Sequence, residues 1–248
     1  MKKTLLFSLL LAVSFFAKAQ NFTDSFLVDG TYRNFILHVP AGFNASVNHP
    51  LVLNLHGYTS NASQQQLYTK MDAVSDTFQF LVVYPNGIGN YWNSFGSGVN
   101  DVKFLRNLVD TISLRYKVNA KRVYSCGMSN GGFMTYTLAC QMGDKLAAVA
   151  SVTGTMSNNT LANCPLAHKM PVLHIHGTLD PTVNYANGIT GSIGVEQTVA
   201  FWRDTNDCTQ APDTTAIPNI SSADGCTAQL IRYKNCGAGS EVYFYKIT

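Results

Sequence analysis

Along the 248-residue chain, short apolar runs rich in Val, Ile and Leu alternate with longer stretches whose apolar positions recur every three or four residues. The short runs at 35–39, 51–55, 80–84, 122–126, 147–152, 172–175, 229–233 and 242–247 are predicted strands, most of them closed by Gly, Pro or Asn turn signals. From 102 to 116 the positions Val102, Leu105, Val109, Ile112 and Tyr116 follow helical spacing, with Asn100 or Asp101 before them as the cap. Segments 132–142 and 195–203 also read as helices. Strand and helix in alternation predict an α/β fold: a mostly parallel central sheet with helices on both faces. The segment 205–225, rich in Asp, Thr, Pro and Ser, is expected to be a long surface excursion rather than a linker.

The first residues change this picture. Met1-Lys2-Lys3, an apolar stretch from Leu5 to Phe16 and then Ala17-Lys18-Ala19 follow the basic, apolar, small-residue order of a secretory signal peptide. A spanning helix needs roughly 20 apolar residues, more than this stretch offers. The expected organisation is a signal peptide at 1–19 and one catalytic domain at 20–248, secreted, extracellular or periplasmic, monomeric and not held in a membrane after cleavage. A formal charge of +3 with 12% charged residues and no basic run argues against nucleic acid as a partner. Export makes the six cysteines candidates for disulfides. Cys140 with Cys164 and Cys208 with Cys236 would each staple a loop region beside the presumed site. Cys126, inside an apolar run, reads equally as a buried inert thiol or as the partner of Cys226.

Gly127-Met128-Ser129-Asn130-Gly131 is a G-x-S-x-G sequence set between a predicted strand and a predicted helix, the context of the nucleophile elbow of α/β-hydrolases. The chemistry needs a serine on a sharp turn, with Gly127 and Gly131 where a Cβ would strike the neighbouring strand or helix. The helix that follows directs its positive end at Ser129. His56-Gly57 closes an earlier buried strand, where the second oxyanion donor of this fold arises, so the backbone N–H groups of Tyr58 and Asn130 are the expected oxyanion hole. His56 precedes the serine in the chain and reads as structural. Asp180, on the loop after the apolar run 172–175, is the expected acid that orients an imidazole. His174 and His176 share one face of that strand; two ligands fall short of a zinc site, so a core role is expected and no metal.

These stretches resemble the secreted esterase family of polyhydroxybutyrate depolymerases and feruloyl or acetyl xylan esterases. The likeness runs through 53–57, 82–85, Trp92-Asn93, Asn100-Asp101-Val102, 122–124, 127–132 and 176–185. It implies Ser129 as nucleophile and Asp180 as acid, with no cofactor, acting on an ester substrate that is either polysaccharide-linked or a polyester. It further implies a Gly-rich segment bearing the catalytic His and a Trp after the last strand. No His follows Asp180 in these residues, and the expectation is that the chain is C-terminally incomplete. The alternative is a catalytically dead hydrolase-fold protein that binds polysaccharide. Tyr91 stands where many relatives carry Cys, and Trp92 is read either as lining a substrate cleft or as filling the core.

Overall fold

The computed structural model describes residues 18–96 and 98–248; residues 1–17, most of the expected signal peptide, lie outside them. In chain order the elements are β1 (Gln20–Val28), β2 (Thr31–Val39), β3 (His49–Leu55), α1 (Ala62–Thr69), α2 (Met71–Phe78), β4 (Leu81–Pro85) and α3 (Asp101–Arg115). There follow β5 (Val118–Met128), α4 (Asn130–Gln141), β6 (Ala148–Val152), α5 (Asn158–Ala162), β7 (Val172–Gly177), α6 (Val195–Thr205), β8 (Asp213–Ile217), β9 (Ala228–Tyr233) and β10 (Val242–Ile247). The strands form one sheet in the order β1-β2-β4-β3-β5-β6-β7-β10-β9-β8. The run from β4 to β10 is parallel, and an antiparallel pair closes each edge.

Alternation along β4 shows how both faces are buried. Leu81 and Val83 join the main core with Leu51, Leu53 and Leu55 of β3 and with α3, α4 and α6. Val82 and Tyr84 point the other way and pack with Ala62, Met71 and Ile36 against α1 and α2. Beyond α2 that second face runs on as an open apolar trough of about 460 Å³ over Val52, Tyr124, Cys126, Ala150 and Leu173. All parallel strands end at one edge, and the β5–α4, β3–α1 and β7–α6 connections meet there. In an open parallel sheet that carboxyl edge is where ligands bind.

Two expectations need correction. Segment 205–225 is not wholly an excursion, because it contains β8, which pairs antiparallel with the following β9; the residues of β8 are almost all exposed, so no apolar alternation marks it. Asp101 is not the cap of α3. Asn100 accepts the Lys103 N–H at 2.9 Å in that role, while Asp101 is buried in an ion pair.

Cys140 is joined to Cys164 and Cys208 to Cys236, while Cys126 and Cys226 are free. Cys126 is half-buried in the apolar trough, and the desolvation there pushes its thiol up to about 12, which keeps it protonated near neutral pH. Cys140 sits ten residues along α4, about 15 Å from the helix start, so its bridge staples the end of the helix remote from Ser129. A cross-link across 24 residues removes chain entropy worth about 3 kcal/mol from the unfolded state. Cys140→Ser/Cys164→Ser is expected to lower the urea unfolding free energy by that amount without altering the cleft.

Candidate active site

The turn between β5 and α4 holds Ser129 at φ 52° and ψ −117°, a conformation an L-residue adopts only under constraint. The constraint is visible on each side. Ser129 N–H donates to Val152 O at 2.8 Å, locking the turn to the end of β6. A Cβ on Gly127 would lie 2.5 Å from the Gly131 backbone, and one on Gly131 would lie 2.3 Å from Leu55 O on β3. Strand, turn and helix are therefore as close as backbones can come.

The β3–α1 loop runs beside the same turn: a Cβ on Gly57 would sit 3.7 Å from Ser129 Cβ. Among the described residues neither the Tyr58 N–H nor the Asn130 N–H meets a protein acceptor. A cage of hydrogen bonds holds the two peptides. Trp92 Nε1 donates to His56 O at 2.9 Å, and Asn130 Oδ1 accepts the Trp92 N–H at 2.5 Å while its Nδ2 donates to Trp92 O at 3.1 Å. His56 Nε2 accepts the Gly87 N–H at 3.0 Å, so Nδ1 carries the ring proton and donates to Gly57 O at 2.7 Å. The Trp92 ring lies against His56 with centroids 4.9 Å apart and is only 1% exposed, so it backs the cleft wall.

Behind this wall Asp101, wholly buried, accepts from Arg33 Nη2 at 2.5 Å and from the Asn93 N–H at 2.8 Å. The Arg33 guanidinium lies 4.0 Å over the Phe104 ring. Nothing in the local pattern announces this pair, which joins β2 to the first residue of α3.

Asp180 follows β7. Its Oδ1 accepts the N–H groups of Thr182 at 2.8 Å and Val183 at 2.9 Å, which fixes the carboxylate and leaves Oδ2 free, 3.6 Å from His176 Nε2. His176 Nε2 donates to Val183 O at 2.9 Å. Thr182 and Val183, from this turn, line the same cleft as Ser129, Asn130 and Tyr58. The cleft measures about 340 Å³ and is otherwise walled by Tyr91, Phe95, Phe133 and Ile189, three of them residues that no motif singled out. Of the residues named from sequence, Tyr58, Trp92, Ser129 and Asn130 line this cavity, while Asp180 is not on its wall but starts the turn whose Thr182 and Val183 are.

His174 and His176 stack on each other, 5.4 Å apart, inside the layer formed by Tyr136, Trp202 and Phe244. Burial pushes His174 down to about 3 and lowers His176 and His56 as well. These rings are neutral in the fold, whereas the unfolded chain protonates them near pH 6.5. Their contribution is complete above that pH and is lost as pH falls toward the folded values, at about 1.4 kcal/mol per pH unit for each histidine. Urea unfolding at pH 7, 6 and 5 is expected to show that decline; a flat profile would contradict the neutral core assignment.

A parallel sheet with a strained G-x-S-x-G turn at its carboxyl edge defines an α/β-hydrolase. Within that class the chain belongs to the esterase PHB depolymerase family, whose model matches residues 33–164. It is 30% identical over 212 residues to a bifunctional acetylxylan esterase/xylanase of Neocallimastix patriciarum, covering 85% of this chain and 30% of that protein. It is 26% identical over 226 residues to feruloyl esterase B of Piromyces equi, covering 85% and 40%. A poly(3-hydroxyalkanoate) depolymerase C of Paucimonas lemoignei is 29% identical over 192 residues, covering 71% and 44%. The chain therefore spans less than half the length of these relatives. Among solved structures, the acetyl xylan esterase from Aspergillus awamori superposes with a TM-score of 0.66 over 93% of both chains at 16% identity, a likeness of fold.

Proposed function

We propose that the chain is a secreted serine carboxylic-ester hydrolase, a single domain at 20–248 behind a signal peptide, acting as a monomer on extracellular esters. The observation that carries this reading is the strained Ser129, set between two unpaired backbone N–H groups at the rim of an apolar cleft. Ser129 Oγ attacks the ester carbonyl, and the Tyr58 and Asn130 N–H groups receive the developing oxyanion. The alcohol leaves, and water then releases the acyl group from the serine. Asp180 Oδ2 accepts the Nδ1 proton of the imidazole that shuttles the serine proton.

That imidazole is not among the six in this sequence. His38 is bonded to Asn21 and Asp76, His49 to Asn44 and Gln79, and His168 to backbone carbonyls. His56, His174 and His176 are held in the interior as described. The mechanism therefore requires a histidine supplied from outside residues 1–248, beside Asp180 Oδ2.

Aromatic walls and volume favour a bulky acyl group, a feruloyl ester of polysaccharide, over an acetyl group or a hydroxyalkanoate. Phe95→Ala is expected to lower kcat/KM for methyl ferulate about tenfold and to leave p-nitrophenyl acetate hydrolysis little changed. The deciding experiment expresses the gene with its sequence beyond the Thr248 codon and assays p-nitrophenyl butyrate and methyl ferulate beside Ser129→Ala. Hydrolysis that disappears in the variant is the expected result. A stop at Thr248 and no ester cleavage would overturn it and leave a polysaccharide-binding hydrolase fold.

A further inference from the structure

On the other side of the Gly87–Tyr91 turn from the cleft lies a second hollow, of about 330 Å³ and polar where the cleft is apolar. We propose that it is a subsite for a neutral sugar unit belonging to the alcohol portion of the substrate. It is lined by Tyr32, Asn34, Asn61, Asn86 and Asn90, with Arg33 and the Gly87-Ile88 stretch of the turn also bordering it. The bonds among these groups occupy mainly amide oxygens. Asn34 Oδ1 accepts from Asn86 Nδ2 at 2.5 Å, Asn86 Oδ1 accepts the Ala62 N–H at 2.7 Å, and Asn61 Oδ1 accepts the Gln64 N–H at 3.0 Å.

The Asn34 and Asn61 amino groups are left as donors. Among the described residues the Asn90 amide has no protein partner, so it offers a donor and an acceptor together. Tyr32 adds a ring that is 73% exposed. Arg33 brings no net charge, because Asp101 neutralises it, which disfavours phosphate or carboxylate. Hydroxyl groups donate and accept, and the faces of a sugar ring are apolar, so a saccharide matches this mixture of amides and an aromatic plate. A polyester offers acceptors alone and would engage only the donors in this mixture.

The position couples the hollow to the cleft. Asn90 O accepts the Thr59 N–H at 2.8 Å, tying it to the loop that carries Tyr58, and the next residue, Tyr91, faces the Tyr58 ring at 6.4 Å. A sugar held by Asn90 therefore lies across one turn from an ester at Ser129. Its assignment to the alcohol side rests on Ser129 being the acylated residue; the binding does not.

Calorimetric titration of xylotetraose into the protein tests the proposal without any turnover. Saturable binding is expected, weakened about fivefold by Tyr32→Ala and by Asn90→Ala, the equivalent of one hydrogen bond near 1 kcal/mol. Tyr68→Ala, an exposed tyrosine on α1 away from the hollow, and Ser129→Ala are expected to bind as the parent does. No saturable binding, affinity unmoved in both hollow variants, or displacement by a 3-hydroxybutyrate trimer or a peptide would each overturn the subsite. Binding that follows this pattern in a protein without Ser129-dependent hydrolysis would keep the subsite and remove only the ester reading.

Discussion

Ser129→Gly is expected to abolish ester hydrolysis and, at the same time, to make the protein more stable. Loss of the nucleophile is worth a factor of at least about 10⁴ in kcat where serine, base and acid act as a unit. The stability gain has a separate origin. At φ 52° and ψ −117° a Cβ is strained, at a cost of about 1–3 kcal/mol, and glycine relieves it. Glycine also raises the entropy of the unfolded chain by about 0.5–1 kcal/mol. The net gain is about 1 kcal/mol, a rise in Tm of about 2–4 °C for a chain of this length. Ser129→Ala keeps the Cβ, loses the hydroxyl and should gain none of this stability. Activity assays and thermal melts on the pair separate the two effects. Equal melting of the Gly and Ala variants would show that the elbow stores no strain, and retained hydrolysis in either would remove Ser129 from the mechanism.

The same contrast explains what the sequence makes legible. Backbone crowding at the β5–α4 turn can be met only by residues without a Cβ, so Gly127, Gly131 and Gly132 are written into a local motif. The central strands announce themselves because both faces are buried, as in Leu81–Pro85, all five residues of which are buried. Elements without that signature escape: β1 is an edge strand whose residues are mostly exposed, and α1 buries Ala62 and a polar residue, Gln65, which donates to Asn54 Oδ1 at 2.8 Å. Trp92 could be read as cleft or core because its partners, His56 and Asn130, are 36 and 38 positions away. Periodicity records neighbours along an element, not contacts that the sheet order brings together.

The Arg33–Asp101 pair is the extreme case, 68 positions apart and almost wholly excluded from water, and it sets the largest expected loss of stability. Asp101→Asn keeps size and shape and still accepts the Asn93 N–H, but it turns an amino group toward Arg33 or leaves that cation without a counter-charge. A buried pair broken on one side costs about 3–5 kcal/mol, chiefly the desolvation of the survivor. The urea unfolding free energy should fall by that amount, and the cleft wall should loosen with it, because Asn93 and Trp92 sit on the loop that Asp101 anchors. Removing both charges with well-packed apolar residues, Arg33→Met/Asp101→Leu, should cost less than Asp101→Asn alone, since no orphan charge remains. If the double variant is instead less stable than Asp101→Asn, the attraction between the charges outweighs their desolvation and is what holds β2 to the cleft. If hydrolysis falls in Asp101→Asn but returns in the double variant, the wall needs a satisfied core and not the charge itself.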